Sequence, residues 1–407
     1  LMTVYGCHTI GEDLFPRSSL FGRSGMNLKK LIAVLAVFAL ILAACDAGGG
    51  DEDTTPTTAA TDDGGTDDGG TDDGGTDDGG GDTGAQTGGN LIEDVTARGT
   101  LNCGVNETLP GFGSKDEAGA FVGFDVDLCR AVAAAVLGDS EAVEYTALTA
   151  AQRFEALSSG SIDMLSRNTT WTQSRDGELG VDFAPTAYYD GQQVMARSAD
   201  GFDSGSGLTD LAGAVICTNA GTTTEKNITE AMQAAGADFT LTTFEDFNIV
   251  LENFKSGACD AVTTDGSGLI SRKSTDEPAA GDWVIFPAVP ISKEPLGPGV
   301  AQGDAKWADA VNWTLFALII AEEQGITSAN VADMLANPPN GEVQRLLGGE
   351  GEKQTAMGLP ADAFFNVISQ VGNYGEIYDR HLTPLGLERG LNALWSDGGL
   401  IYAPPAR

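Results

Sequence analysis

The sequence predicts an α/β protein made of two halves that share one local plan. Two observations carry that prediction. Short apolar runs alternate with helical ones, which favours parallel strands joined by helices. The joints also repeat: Ser159-Gly160-Ser161-Ile162-Asp163 and Ser256-Gly257-Ala258-Cys259-Asp260 each leave a helix and open a strand, and five residues past each Asp stand Asn168 and Asp265, beyond the strand ends.

In order, residues 100–105 read as a strand and 106–113 as a loop with Pro110 and Phe112 at its crest. Residues 119–125 lead into a helix over 126–136. A strand at 143–146, a helix at 150–158 and a strand at 162–165 follow, with further strands around 181–183 and 193–196. Val215-Ile216-Cys217 starts the second pass. Gly221-Thr222-Thr223-Thr224-Glu225 opens a helix with a hydroxyl and a glutamate in its first turn, a capping signature whose free N–H groups suit an anion. Residues 306–323 place Trp307, Ala310, Val311, Leu315, Leu318 and Ile319 on one helical face, as a core helix does. A helix over 361–371 and the tail to Tyr402 are expected to pack back on the first half. Tyr374, Tyr378 and Trp395 read as core aromatics, with the cleft wall as the alternative place for them.

The chain has 407 residues and a net charge of -37, which argues against nucleic acid or an anionic membrane surface as partner. The N-terminal part reads as targeting sequence. Lys29 and Lys30 precede an apolar run, 31–42, too short to span a bilayer, and small residues before a cysteine follow. Leu42-Ala43-Ala44-Cys45 resembles the bacterial lipobox, which implies lipidation at Cys45. Met26 is a plausible start, leaving 1–25 as a misread upstream extension and 26–44 as the signal. Residues 45–90 contain Thr-Asp-Asp-Gly-Gly four times and almost nothing apolar. They read as a disordered acidic tether. The globule is then divided into 91–195, 196–291 and a return segment, 292–407.

Apart from Cys7 and Cys45, four cysteines remain. An even number in an exported chain suggests disulfides. Of three possible pairings, Cys103–Cys129 and Cys217–Cys259 keep each bond within one half. With one histidine beyond the leader, His381, and the wrong spacings, no zinc site is expected. No cofactor is called for.

The candidate site centres on Ser166-Arg167-Asn168-Thr169-Thr170-Trp171-Thr172-Gln173-Ser174-Arg175, beyond a strand's C-terminal end, where open α/β sheets bind ligands. Thr170 and Arg175 can converge on one carboxylate. If the halves face each other, Asn168, Thr170 and Arg175 line one wall and Thr222, Thr223 and Asp265 the other. That set offers a cation and hydroxyls for a carboxylate, and an anion for an ammonium. It is complementary to an α-amino acid.

Several stretches together resemble the amino-acid-binding proteins of ABC transporters, family 3 of the extracellular solute-binding proteins, and their general L-amino-acid-binding subgroup. They are residues 123–132 (Gly-Phe-Asp-Val-Asp-Leu-Cys-Arg-Ala-Val), 166–172, Tyr188-Tyr189-Asp190-Gly191-Gln192, 221–225 and Ser292-Lys293-Glu294-Pro295-Leu296-Gly297-Pro298. The resemblance covers about 91–390. It implies a two-lobed periplasmic-binding-protein-like fold of type II, with two hinge strands crossing near Met195-Ala196 and Pro290-Ile291. It implies that Arg175, assisted by Thr170, Thr222 and Thr223, holds the α-carboxylate, that Asp265 receives the ammonium and that Phe112 packs on the ligand. It further implies a monomeric, non-enzymatic receptor outside the cytoplasmic membrane, delivering L-amino acids to an ABC permease. The rival reading is an exported prephenate or arogenate dehydratase on the same scaffold. That enzyme needs a general acid in the cleft, for which Glu107 and Glu294 are the weak candidates.

Overall fold

The computed structural model of the protein describes residues 89–349 and 352–407. The leader, Cys45 and the Thr-Asp-Asp-Gly-Gly repeats lie outside the described residues.

α1 (Leu91–Arg98) and β1 (Leu101–Val105) are followed by a small three-stranded antiparallel ribbon within residues 108–122. α2 (Phe124–Leu137) then begins behind Gly123. That glycine has φ 141°, and a Cβ there would lie 2.2 Å from the Phe112 carbonyl oxygen. No other residue fits so close to the neighbouring backbone. α2 is rich in alanine and buried on nearly all sides, which lets a sheet and other helices approach it closely.

β2 (Val143–Ala147), α3 (Arg153–Ser158), β3 (Met164–Leu165), α4 (Gln173–Gly177) and β4 (Val181–Phe183) complete the first pass. α3 starts three residues later than the sequence suggests. Thr149 and Gln152 exchange side-chain hydrogen bonds with each other's N–H groups, holding a turn ahead of the helix. β3 is shorter than expected because the Ser161 and Ile162 N–H groups bond back to the Ala156 carbonyl.

The chain crosses through β5 (Tyr188–Asp190) into β6 (Gln192–Arg197). The second pass runs β7 (Val215–Asn219), α5 (Thr223–Ala235), β8 (Thr240–Phe244), α6 (Phe247–Ser256), β9 (Ala261–Asp265), α7 (Gly266–Asp276) and β10 (Trp283–Phe286). β11 (Glu294–Leu296) returns beside β5, and β12 (Gly299–Ala301) enters the first sheet.

The two sheets have one topology. The first is ordered β2-β1-β3-β12-β4 and the second β8-β7-β9-β6-β10. In each, four strands run in one direction, and the fourth in order, supplied by a crossing segment, is antiparallel to both its neighbours. The repeated joint also has one structural role. The Asp163 carboxylate accepts the Asn102 N–H of β1, and the Asp260 carboxylate accepts the Val215 N–H of β7, each at 2.7 Å.

One boundary needs correction. Met195 and Ala196 pair with Val262 and Ala261, inside the second sheet. The first crossing is therefore at 190–192, and the β5–β11 ribbon forms the hinge. The return falls where expected, with the Ile291 N–H bonded to the Gln192 carbonyl at 2.9 Å.

α8 (Ala305–Glu323) buries the face read from the sequence, and the helices beyond it close over α2 and the first sheet. The tail is tied to α2 through Asp127, which takes Arg380 and His381, the latter at 2.7 Å. Burial pulls the Asp127 carboxyl up, but His381, Arg380 and Arg130 hold it below the usual range. Tyr374 and Tyr378 are core residues, with the Tyr374 hydroxyl donating to the Ala187 carbonyl, while Trp395 is exposed. No helix among the described residues is long and apolar enough to cross a membrane.

Both expected disulfides are formed, one per lobe: Cys103–Cys129 (Cα–Cα 6.2 Å) and Cys217–Cys259 (5.9 Å). Closing loops of 26 and 42 residues stabilises by about 3–4 kcal/mol each in the chain-entropy model.

Candidate functional site

A cavity of about 200 Å3 lies between the sheets. Its walls are the C-terminal ends of β1, β2, β3, β7, β8 and β9 and the segments that follow them. Asn168, Thr170, Thr222, Thr223 and Asp265 all line it. Sequence reasoning thus brings five of its seven candidates to one place.

Asn168 stands at the β3 tip with φ 30°, the one non-glycine residue with positive φ among the described residues. It is held there by two bonds. Its N–H donates to Asp125 at 2.7 Å, and its side-chain oxygen accepts from Asn106 at 3.1 Å. An over-determined strained residue of this kind is common at binding sites. Thr222 caps α5: its hydroxyl accepts the Glu225 N–H at 3.1 Å and donates to the Asn219 carbonyl at 2.8 Å. Glu225 in turn accepts the Gly221 N–H at 2.8 Å.

Thr170 and Thr223 face each other across the lobes, their hydroxyl oxygens 3.4 Å apart. Both donate to one oxygen of Glu294, at 2.7 and 2.8 Å. The other oxygen of Glu294 accepts from Asn227 at 2.7 Å and Ser292 at 2.6 Å. A hydroxyl has one proton to donate, so Glu294 already holds those of Thr170 and Thr223. The lobes also meet through the Ser271 hydroxyl, which donates to the Pro110 carbonyl at 2.7 Å, and through Arg272, which donates to the Thr108 carbonyl.

Two candidates lie elsewhere. Phe112 is 1% exposed, with its ring packed edge-on against Tyr188 and Phe124, centroids 5.2 and 6.1 Å away. It belongs to the first-lobe core and does not line the cavity. Arg175 sits behind Thr170. Its guanidinium donates to the Thr170 carbonyl at 2.7 Å and lies over the Phe154 ring, 5.1 Å from its centroid. Burial lowers its proton affinity, while Glu294 and Asp265 nearby hold it up.

Asp265, at the end of β9, is 6% exposed, and no donor among the described residues bonds its carboxylate. Burial, then the nearby Asp190 and Glu294 carboxylates, push it well above the usual range, against Arg175 and Arg153. Asp190 is raised too, by burial first. Asp125 is pushed up to about 7 by burial, against the Asn168 N–H and Arg167.

These raised groups set the pH dependence of the unliganded protein. A carboxyl whose proton is held more tightly in the folded chain contributes stability below its unfolded value, near 3.8, and loses it as pH rises through its folded value. Asp127, Asp276 and Glu277 are held low and act the other way, at pH below about 4. The melting temperature of the unliganded protein should therefore fall between about pH 5 and 8. A flat or rising profile across that window would contradict the assignment.

Sequence reasoning missed the arginines on the wall. Arg153 and Arg167 both line the cavity and are nearly fully buried. Arg167 lay within the stretch singled out, but nothing marked it apart from Arg175. Arg153 lay in a helix read only as scaffold. Glu294 was noted as a possible acid, and its role as a bridge between lobes has no signal in spacing alone.

Two α/β lobes of matched topology, a hinge ribbon and a charged cavity between them define a ligand-binding protein of the two-lobed extracytoplasmic class. Residues 101–325 match the model of the bacterial extracellular solute-binding proteins, family 3, and the chain belongs to that family. It is 49% identical over 321 residues, 78% of this chain and 92% of the relative, to the general L-amino acid-binding periplasmic protein AapJ of Rhizobium johnstonii. It is 48% identical over 319 residues, 78% of this chain and 93% of the relative, to the glutamate/glutamine/aspartate/asparagine-binding protein BztA of Rhodobacter capsulatus. Among solved structures, an ABC transporter periplasmic binding protein from Brucella ovis with glutathione bound matches with TM-score 0.74 and 48% identity. That match covers 78% of this chain and 99% of the other. These relatives are solute-binding proteins, and their names place them outside the cytoplasm.

Proposed function

We propose that the protein captures L-amino acids between its lobes outside the cytoplasmic membrane and delivers them to an ABC permease. The observation that carries this reading is the pairing of Asp265, a buried carboxylate with no donor of its own, with arginines across the same cavity. A zwitterion brings an ammonium to Asp265 and a carboxylate into a cavity whose wall carries Arg153 and Arg167. Asp265 takes the α-ammonium. The α-carboxylate lies at the α5 N-terminus, where first-turn N–H groups and the helix dipole favour an anion, beside Thr170 and Thr223 and with Arg175 behind them. Asn168 shapes the wall. Ligand contacts to both lobes favour the closed form, and the closed form docks on the permease. Lipidation of Cys45 holds the protein at the outer face of the cytoplasmic membrane, and residues 45–90 act as the tether. The protein works as a monomer.

A dehydratase on this scaffold has little support. Glu107 is exposed and paired with Lys115 at 2.7 Å, and Glu294 accepts four hydrogen bonds. The deciding experiment is a thermal-shift screen against the twenty L-amino acids, their D-forms and prephenate. A ligand that binds only the native state stabilises it by about 2.7 kcal/mol at a hundred times its dissociation constant. Shifts with L-forms and not D-forms are expected. A shift with prephenate alone would reject the reading.

A further inference from the structure

The hinge ribbon has an outer edge, and one side chain covers it. The Tyr189 N–H donates to the Asn392 side-chain oxygen at 2.6 Å, and the Asn392 side-chain nitrogen donates to the Tyr189 carbonyl at 3.1 Å. A side-chain amide has the donor and acceptor of a peptide unit, so Asn392 stands beside β5 where a third strand would. β11 does not supply these bonds. Pro295, opposite Tyr189, has no N–H, and its carbonyl takes the Trp171 N–H at 2.8 Å.

Asn392 is 3% exposed and is braced from the first lobe. Its carbonyl accepts from Arg389 at 2.8 Å, and Arg389 grips Glu322 of α8 with both terminal nitrogens, at 3.0 and 3.2 Å. The same guanidinium lies over the Tyr374 and Tyr378 rings, 5.1 and 4.8 Å from their centroids. The Tyr374 hydroxyl holds the Ala187 carbonyl at 2.7 Å. Residues 187 and 189 are thus fixed to the helices that close the first lobe.

The residues that follow are held by the other lobe. The Gly191 carbonyl accepts the Gly266 N–H at 2.8 Å, and the Asp190 carboxylate accepts the Ser267 N–H at 3.3 Å, both from the start of α7. Attachment therefore changes hands between Tyr189 and Asp190. Few backbone dihedrals are left there to absorb a change in the angle between lobes, as in a hinge of a few residues.

We propose that Asn392 is a positioning residue for ligand capture: it fixes the first-lobe side of the hinge and confines the swivel to the Tyr189–Gly191 joint. This rests on the reading of the protein as a receptor that closes on its ligand. Asn392 does not line the cavity. Its effect is on the range of openings that the unliganded lobes sample. A wider range lowers the fraction of molecules ready to close, and apparent affinity falls with that fraction.

The test compares the full chain with its Asn392→Ala variant by solution X-ray scattering and by stopped-flow and calorimetric binding of L-glutamate and L-alanine. Without ligand the variant should have the larger radius of gyration, the tether being common to both, and saturating L-glutamate should remove the difference. Both amino acids should bind more weakly by one common factor, roughly 3- to 10-fold, through slower association with dissociation unchanged. A merely structural asparagine would lower the melting temperature and leave scattering and affinity as they were, which would overturn the proposal. So would unequal losses for the two ligands, since Asn392 would then act through the cavity wall. Amide exchange on the parent needs no variant: the Tyr189 N–H should be as protected without ligand as with it. Fast exchange that slows only on binding would show that the clamp forms after closure, and it too would overturn the proposal. If the parent binds neither amino acid, the receptor reading falls, while unliganded scattering and exchange still judge the hinge.

Discussion

Asp265→Asn should produce a protein at least as stable as the parent and markedly poorer at holding an L-amino acid. The carboxylate is buried with Asp190 and Glu294 in its field, and it accepts no hydrogen bond from the described residues. The amide keeps the shape and removes the charge. The stability lost by the parent as pH rises through the raised Asp265 value is absent in the variant, so the difference in melting temperature should grow with pH. Binding should suffer by about 2–3 kcal/mol, the scale of a charge-assisted hydrogen bond in a desolvated site, or roughly 30- to 150-fold. Calorimetry on both proteins, with melting curves at about pH 5 and 8, separates the two effects. An affinity equal to the parent's would remove Asp265 from the ammonium site, whatever the melting curves showed.

Glu294→Ala should act on stability first. Its carboxylate is 1% exposed and serves four donors: Thr170 from the first lobe, Thr223 and Asn227 from the second, and Ser292 from the return crossing. Alanine strands all four in a closed cleft, and Arg175 loses its nearest counter-charge. Breaking a buried charged network from one side costs about 3–5 kcal/mol. Because the network spans both lobes, the loss also favours the open form, so the radius of gyration in solution should rise with the drop in melting temperature. Glu294→Gln keeps an acceptor and should recover part of the stability. A Glu294→Ala variant that melts like the parent would show that water replaces the carboxylate and that the bridge contributes little.

Much of the fold was readable because it is written locally. The helix–Ser-Gly-x-x-Asp–strand joint is a short pattern with a backbone task. Asp163 and Asp260 perform the same task in the two lobes. Cysteine pairing followed from keeping each bond within a lobe. The hinge was misplaced because the apolar centre of β6, Val194-Met195-Ala196, does not by itself say which sheet the strand joins. The cavity was legible where polar residues sit just past a strand end, as Asn168, Thr170 and Asp265 do. Phe112 fails that test, since a loop-crest aromatic points either into a cleft or into a core, and Tyr188 and Phe124, distant in sequence, decide it. Arg153 and Glu294 were hidden for a related reason. What sets them apart lies in their surroundings in space: a buried guanidinium with no hydrogen-bond acceptor among the described residues in one case, a carboxylate serving four donors in the other.

The placement of β12 has a consequence for the order in which the molecule can be assembled. All five strands of the second sheet lie within residues 192–286, and that lobe carries its own disulfide. The first sheet is split until residues 299–301 arrive, because β12 is the only strand joining β3 to β4. A chain growing from its N-terminus therefore completes its second lobe before its first. A product broken off near residue 290 would carry one finished lobe on an open-edged partial sheet, with α2 uncovered by the helices that follow α8. Unpaired strand edges and bare apolar faces of that kind aggregate or are degraded. The last third of the sequence, which contributes little to the cavity wall, thus decides whether the lobe made first ever becomes a wall at all.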